Sequence, residues 1–145
     1  MAHLFDPNGK PVVHEHIIIR AMVKDPPIYV AKTCAWLMEL ITKIGMEVEL
    51  GPYARYLDDP GNRGITSIAL IKTSHIAMHV WDEPFPALIQ LDVYSCAPLD
   101  LNAVLEKLKE FDPVEVKWKK LDRETDLKDI ACGTLSTSIS NHLLK

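Results

Sequence analysis

The most informative stretch of this chain runs from residue 73 to residue 81: Thr73-Ser74-His75-Ile76-Ala77-Met78-His79-Val80-Trp81. Apolar residues alternate along it, and a second apolar run over residues 68–71 precedes it, so the pattern predicts two strands that meet at residues 72–74. A tight turn between strands usually contains glycine or asparagine, because the favoured two-residue turns need positive φ. Thr73-Ser74 supplies neither. The junction instead carries hydroxyl groups followed by two imidazoles.

Two interpretations of this junction fit its residue types. In the first, it is an ordinary bend whose serine and threonine satisfy nearby backbone groups. In the second, the Ser74 hydroxyl attacks the Thr73 carbonyl to give an ester, and β-elimination then breaks the chain and leaves a pyruvoyl group. A strained junction would favour the attack, and a nearby imidazole could move the protons. Composition does not decide between the two.

Length and charge restrict the classes of protein. A chain of 145 residues with 48% hydrophobic and 25% charged residues is typical of one soluble domain with its own core. The net charge of −4 gives no reason to expect a nucleic-acid partner. The lysines at 117, 119 and 120 are flanked by acids and indicate a solvated strand face.

Cysteine usage and hydropathy point to the cytoplasm. Cys34, Cys96 and Cys132 are widely spaced and odd in number, which predicts neither a disulfide framework nor a paired-cysteine metal site. A reducing compartment fits such thiols best. The N-terminus has no basic segment followed by an apolar one, and no apolar run approaches the ~20 residues of a membrane span. We therefore expect a cytoplasmic protein with no export signal and no membrane anchor.

The remaining elements follow from periodicity and turn signals. A turn is predicted at Asp6-Pro7-Asn8-Gly9, a long loop over 51–64, and a last strand or ordered tail over 130–139. Further strands are predicted over 14–23, 46–50, 65–72, 75–81, 88–96 and 114–119.

Two helices are predicted. The first begins at Asp25-Pro26-Pro27 with Asp25 as its cap and ends at Gly45. Its apolar stripe consists of Ala31, Cys34, Ala35, Met38 and Ile41. The second is capped by Asp100 and runs to about Phe111, with its stripe formed by Leu101, Val104, Leu105 and Leu108.

This order of elements predicts the fold class. We expect an α+β fold, a two-layer α/β sandwich with a mostly antiparallel sheet and two helices on one face. The other face of the sheet needs a cover, and a second copy of the chain is the economical candidate. A homodimer is therefore predicted.

Alternation divides the side chains of the strand over 75–81 between two faces. Ile76, Met78 and Val80 lie on one side, and His75, Ala77, His79 and Trp81 on the other. A pair of histidines two residues apart is compatible with hydrogen-bonded surface structure or with catalysis. No convincing third ligand accompanies them, so no metal site is predicted.

Cys96 ends the strand predicted over 88–96. It is compatible with a buried structural thiol or with a catalytic cysteine that has an acid or base partner nearby. The chain has neither a glycine-rich phosphate loop nor a serine-hydrolase elbow, so a nucleotide cofactor bound by such a motif is not expected.

Residues 64–83 resemble the self-processing core of the small prokaryotic S-adenosylmethionine decarboxylases. So does the phrase Leu91-Asp92-Val93-Tyr94-Ser95-Cys96, at the separation that this family shows. The likeness covers most of residues 13–120. It implies a single decarboxylase-like domain over 1–145, with a core of about 13–120 and a C-terminal extension over 121–145. It also favours the self-processing interpretation, with cleavage between Thr73 and Ser74.

The resemblance implies roles for four residues in chemistry. Ser74 matches the serine that becomes the pyruvoyl cofactor, the electron sink that forms a Schiff base with the substrate amine. His79 matches a histidine that assists processing, and Thr66 falls where the family uses a serine hydroxyl for the same purpose. Cys96 matches the thiol that returns a proton after decarboxylation.

Two further residues are implied in substrate binding. Glu83 falls where a substrate-contacting glutamate is found. Tyr56 falls where an aromatic ring stacks on adenine. The expected reaction is decarboxylation of S-adenosylmethionine for spermidine and other polyamine synthesis.

Departures from the family pattern leave alternatives open. The chain has Thr73 where the family usually has glutamate, and Thr66-Ser67 where it usually has serine-glycine. Residue 73 need only present a carbonyl, so processing stays chemically possible. The loop before Thr66-Ser67 is also longer and more acidic than in the family, which leaves the substrate open between S-adenosylmethionine and a basic amino acid such as arginine or ornithine. A non-cleaving ligand-binding protein on the same scaffold is the remaining alternative.

Overall fold

The computed structural model describes residues 7–10 and 13–137 of the chain. In these residues the strands are β1 (Glu15–Val23), β2 (Val48–Leu57), β3 (Gly64–Ile71), β4 (Ser74–Trp81), β5 (Ala87–Ser95), β6 (Pro113–Asp122) and β7 (Asp129–Ser136). The helices are α1 (Val30–Lys43) and α2 (Leu101–Leu108), and a 3₁₀ turn (Lys109–Phe111) continues α2.

All of these strands belong to one sheet in the order β2-β3-β4-β5-β1-β6-β7, and every neighbouring pair is antiparallel. The two helices contact each other, since the Trp36 indole of α1 donates a hydrogen bond to the Lys107 carbonyl of α2 at 3.3 Å. They form a single layer on one face of the sheet. The predicted α+β two-layer sandwich is confirmed.

Strand alternation separates a closed face of the sheet from an open one. Ile17, Ile76, Met78 and Val93 are fully buried on the helix side. On the opposite side, Ile18, Ile68 and Leu70 are each more than 40% exposed. The predicted division of β4 is confirmed, because Ile76, Met78 and Val80 are buried while His79 is exposed. We call the side of the sheet without helices the open face.

The start of α1 differs from the prediction. The helix begins at Val30 with Tyr29 at its N-cap, and Tyr29 makes no side-chain capping bond. Asp25 is not a cap, because it lies five residues before the helix begins. Its backbone N–H donates to the Phe111 carbonyl at 3.0 Å, and the N–H of Lys24 donates to the Asp112 carbonyl at the same distance. These bonds hold the segment beside the end of the 3₁₀ turn. Two consecutive prolines then keep it extended.

The predicted apolar stripe of α1 was also wrong. The buried residues are Thr33, Trp36, Leu37, Leu40 and Ile41. Of the predicted stripe, Ile41 alone is buried, whereas Met38 is 42% exposed. Two stripes overlap on this helix, and the one with the larger side chains faces the sheet because it removes more apolar area from water.

The predicted loop over 51–64 is mostly strand. β2 continues to Leu57, so the connection to β3 spans 58–63. The pairing of β2 with β3 shifts register twice, first between Val48 and Leu50 and then between Leu50 and Tyr53, where Gly51-Pro52 lies. A glycine and a proline are tolerated here because β2 is an edge strand with bulges.

The other predicted elements agree with the structure. The Asp100 carboxylate accepts a hydrogen bond from the Ala103 N–H at 3.1 Å and caps α2 as predicted. The last predicted strand is β7, although residues 138 and 139 lie outside the described part, as does Asp6 of the predicted turn. Within that part, no helix is long and apolar enough to cross a membrane.

Candidate functional site

The junction between β3 and β4 is a two-residue turn formed by Lys72 and Thr73, since Ile71 pairs directly with Ser74. The Lys72 N–H donates to the Glu47 carbonyl at 3.0 Å and ties the turn to the segment before β2. Ser74 has a φ of 150°, a backbone conformation that residues with a side chain rarely adopt. The strain expected from a turn without glycine therefore falls on Ser74.

The carbonyl of Thr73 has a defined partner. It accepts a hydrogen bond from the backbone N–H of Cys96 at 2.8 Å. The bond joins two motifs that are 23 positions apart in the chain, because Ser74 pairs with Ser95 across β4 and β5. An N–H donor aimed at a carbonyl stabilises negative charge that develops on its oxygen. This arrangement can assist nucleophilic attack on the Thr73 carbonyl carbon.

His79 and Thr66 form a second group, on the open face. They are directly opposed across β3 and β4. The Thr66 hydroxyl and the Nδ1 atom of His79 lie 2.7 Å apart and share a hydrogen bond. Both border a shallow cavity of about 340 Å³ that also contacts Tyr53, Ile68 and Ala77. A paired hydroxyl and imidazole, open to solvent, can exchange protons with a molecule bound there.

Tyr56 and Glu83 form a third group, beyond the end of β4. The Tyr56 hydroxyl donates to the Asp82 carboxylate at 2.8 Å. This hydrogen bond, together with burial and the negative charge of Asp82, raises the pKa of Tyr56 above its ordinary value. Glu83 accepts hydrogen bonds from the Gly61 N–H at 3.0 Å and from the Arg63 guanidinium at 3.3 Å. The loop over 58–63 is therefore fastened to the turn after β4.

The predicted site residues fall into three groups within one chain. Thr73, Ser74 and Cys96 meet at one end of β4. His79 lies five residues further along the same strand, a separation of about 16 Å at the usual strand rise. Tyr56 and Glu83 lie further still. A single copy does not bring the His79 group to Ser74.

The structure also reveals a cluster on the open face that the sequence did not predict as a site. The Asp92 carboxylate lies 2.7 Å from Nε2 of His16 and 3.3 Å from Nε2 of His75. The Tyr94 ring lies 5.6 Å from both imidazoles, measured between ring centroids. Burial alone would raise the pKa of Asp92, but the hydrogen bonds and charge of the two histidines hold it below its ordinary value.

Strand alternation could have placed His16, His75 and Asp92 on one face. It could not bring them together, because that requires the register by which β5 pairs with both β1 and β4. Among the described residues, no group of three or more histidine, cysteine, aspartate or glutamate side chains could hold a metal ion. Cys34, Cys96 and Cys132 are free thiols.

The fold and the junction define a class of protein, and comparison with known proteins identifies it. The chain belongs to the S-adenosylmethionine decarboxylase family, whose family model matches residues 29–124. The resemblance inferred from the sequence is thereby confirmed.

One curated relative is the S-adenosylmethionine decarboxylase proenzyme of Picrophilus torridus, which is 31% identical over 71 residues. The match covers 46% of this chain and 51% of the relative, so the chain spans about half the length of that protein. The fold is similar to the crystal structure of the adenosylmethionine decarboxylase from Aquifex aeolicus, with a TM-score of 0.64 and 18% identity. That match covers 83% of this chain and 98% of the Aquifex chain.

Proposed function

We propose that this protein is a pyruvoyl-dependent decarboxylase of S-adenosylmethionine that first cleaves itself between Thr73 and Ser74. The observation that carries the proposal is the 2.8 Å hydrogen bond from the Cys96 N–H to the Thr73 carbonyl. It polarises the carbonyl of the peptide bond that self-processing must break. The positive φ of Ser74, on the other side of the same bond, supports the proposal because cleavage would relieve that strain.

Self-processing uses atoms of this chain and water. The Ser74 hydroxyl oxygen attacks the Thr73 carbonyl carbon, the C–N bond between residues 73 and 74 breaks, and an ester joins Thr73 to the Ser74 side chain. β-Elimination then removes the α-proton of residue 74 and breaks the bond between its Cβ and the ester oxygen. Thr73 leaves as a carboxylate. Water then replaces the nitrogen of residue 74, ammonia departs, and a ketone remains.

The residues at this end of β4 fit a pyruvoyl group. When present, such a group supplies a carbonyl that captures a substrate amine and accepts electrons as carbon dioxide leaves. Ser74 would supply its carbon atoms, and the thiol of Cys96 would deliver a proton to the substrate. Cys96 is half-buried, and its backbone N–H contacts the Thr73 carbonyl, so the residue lies beside the junction and can be reached by a small molecule.

His79 and Thr66 would need a second copy of the chain to act on Ser74. His79 and Thr66 lie about 16 Å from Ser74 within one chain, beyond the reach of direct proton transfer. The open face carries exposed Ile18, Ile68 and Leu70, which a partner would cover. Two copies related by a two-fold axis, with open faces together and β4 strands antiparallel, would bring His79 of each to the Ser74 end of the other. We therefore propose a homodimer with two composite sites.

The proposed dimer would also bring the two implied substrate-binding residues into the site. Glu83 and Tyr56 lie at the His79 end of β4 and would enter the composite site with His79. Their carboxylate and aromatic ring suit the ribose hydroxyls and the adenine of S-adenosylmethionine. The name of the Picrophilus relative supports this substrate over arginine or ornithine. The product would serve spermidine synthesis, and three free thiols fit a cytoplasmic location.

Intact-mass measurement tests the proposal. Purified protein is expected as two fragments that together account for 16.3 kDa, with the second beginning at a modified residue 74. The Ser74→Ala variant is expected to stay whole because it has no nucleophile. A wild-type protein that remains one species, with no ketone detectable by hydrazine reagents, would contradict the proposal and leave a non-cleaving ligand-binding protein. If the chain does cleave, carbon dioxide release from S-adenosylmethionine, arginine and ornithine identifies the substrate.

A further inference from the structure

The side chain of Thr73 takes part in a hydrogen-bond chain that self-processing, as described above, does not use. The Ala97 N–H donates to the Ser95 hydroxyl at 3.0 Å, and that hydroxyl donates to the Thr73 hydroxyl at 2.9 Å. The Thr73 hydroxyl in turn donates to the sulfur of Met46 at 3.3 Å. Each hydroxyl therefore both accepts and donates, which fixes the rotamers of both residues.

Ser95 is suited to hold another residue in place. It is fully buried, and it pairs directly with Ser74 across β4 and β5. A buried hydroxyl costs free energy unless its hydrogen bonds are made. The Thr73 hydroxyl at 2.9 Å is a closer acceptor for Ser95 than the Met46 sulfur at 3.9 Å, so the contact with Thr73 is maintained in the folded state. The end of β5 thus holds residue 73 at two points, its carbonyl through the Cys96 N–H and its side chain through Ser95.

We propose that Ser95 is a positioning residue for self-cleavage, acting through the hydroxyl of Thr73. A single hydrogen bond to the carbonyl leaves the peptide plane free to rotate about that bond. The second bond, on the other side of the Thr73 Cα atom, fixes the plane and presents the carbonyl carbon to the Ser74 hydroxyl. Intramolecular attack depends steeply on such alignment, and a displacement of about 1 Å can cost ~100-fold in rate.

This inference rests on the proposed self-cleavage and deepens it. The bond made is between the Ser74 oxygen and the Thr73 carbonyl carbon, and the bond broken is the peptide C–N bond. Ser95 touches neither, and it exchanges no proton with them. Its effect is confined to the first step, formation of the ester. Elimination from residue 74 does not depend on the orientation of the Thr73 peptide plane.

A double-mutant cycle tests the proposal. Ser95→Ala removes one hydroxyl, Thr73→Val removes the other at nearly constant shape, and the cleavage rate is followed by intact mass after synthesis. Each single variant is expected to cleave roughly 10- to 100-fold more slowly than wild type, and the double variant no more slowly than the slower single one. Thr73→Ser keeps the hydroxyl and is expected to cleave within about threefold of wild type.

A matched control separates positioning from loss of stability. Thr33→Val removes another fully buried hydroxyl, which donates to the Tyr29 carbonyl at 2.9 Å on α1. Its Tm is expected to fall, as that of Ser95→Ala does, while its cleavage rate stays at the wild-type value. Should Ser95→Ala fail to fold, Thr73→Val carries the test, because Thr73 is only half-buried.

Hydroxylamine at neutral pH identifies the affected step, because it cleaves esters under conditions that leave ordinary peptide bonds intact, and any cleavage at Asn8-Gly9 gives fragments of different mass. The slow variants are expected to accumulate whole chain that resists hydroxylamine. A hydroxylamine-sensitive ester would place the effect after the first step and overturn the inference, as would additive effects or wild-type rates in both single variants. In those cases a wild-type chain that still cleaves preserves the proposed function. A wild-type chain that never cleaves overturns both.

Discussion

The two ends of β4 are built differently. At the Ser74 end, the Thr73 carbonyl and side chain are held by the buried end of β5 through bonds of 2.8 and 2.9 Å. At the Trp81 end, exposed side chains make the contacts, with the Trp81 indole bound to Asn62 at 2.8 Å and Glu83 bound to Arg63 at 3.3 Å. The first end constrains a backbone, whereas the second presents functional groups to solvent.

Under the proposed function, this difference would give the two ends different roles. A peptide bond that must rearrange needs fixed geometry and strain, and backbone hydrogen bonds in a buried strand supply both. Groups that move protons or contact a substrate need access, which exposed side chains on an open face supply. Since about 16 Å separates Ser74 from His79, the two ends act together only if two copies of the chain meet.

Co-expression of two inactive variants is the strongest test of whether the two ends act together across two copies of the chain. His79→Ala alone is expected to abolish cleavage, and so is Ser74→Ala alone. When the two are co-expressed with different tags, the His79→Ala chain is expected to cleave, because its intact Ser74 receives His79 from the Ser74→Ala partner. Intact mass of each tagged chain provides the measurement. Cleavage by His79→Ala alone would show that His79 is not needed, and absence of cleavage in the mixture would rule out the composite site.

Substitutions of two glycines near the Trp81 end test how much the close backbone packing there contributes to stability. Gly64 has a φ of 147°, and a Cβ added to it would lie 1.7 Å from the Val80 carbonyl oxygen, whereas one added to Gly61 would meet nothing within 4 Å. Gly64→Ala is expected to lower the free energy of unfolding by about 3 kcal/mol or more, and Gly61→Ala by about 1 kcal/mol from its positive φ alone. Urea denaturation measures both. Equal losses would show that β3 and β4 can separate at this end without cost.

A substitution of Cys96 distinguishes the role of its backbone N–H in self-cleavage from the role of its thiol in decarboxylation. Cys96→Ala keeps the N–H that binds the Thr73 carbonyl but removes the thiol. The variant is expected to cleave itself at the wild-type rate and then to release carbon dioxide from S-adenosylmethionine roughly 100-fold more slowly, because the proposed proton donor is missing. Cys96→Ser is the matched control, with a weaker acid of similar size. Unchanged turnover in Cys96→Ala would make this thiol a structural residue.

The sequence predicted the strands and the faces of β4 because period-2 alternation there depends on local burial. It failed at β2, where Gly51-Pro52 indicates a loop but an edge strand tolerates both residues in a bulge. It failed on α1, where two overlapping stripes satisfy helical spacing and packing against the sheet selects the one with Trp36 and Leu37. Contacts that depend on strand register, such as the bond from Cys96 to Thr73, required the folded chain.

The Asp92 cluster lies between the two ends of β4 and gives the smallest expected effect. The two histidines hold the pKa of Asp92 below its ordinary value, so its ionised form is favoured in the folded chain. The stabilisation is therefore present above the unfolded pKa of about 4 and disappears as the pH falls through the lower native pKa. Asp92→Asn is expected to lower the free energy of unfolding by about 1 kcal/mol at pH 6 and by almost nothing below that native pKa.

Urea denaturation of wild type and Asp92→Asn across this pH range measures the difference. His16→Gln and His75→Gln are the matched controls, and each is expected to remove part of the same pH dependence because each removes one partner of the carboxylate. A difference between wild type and Asp92→Asn that persisted at low pH would mean that the residue acts by shape and not by charge. The part of the open face between the two ends of β4 would then be stabilised by packing and not by the ionised carboxylate.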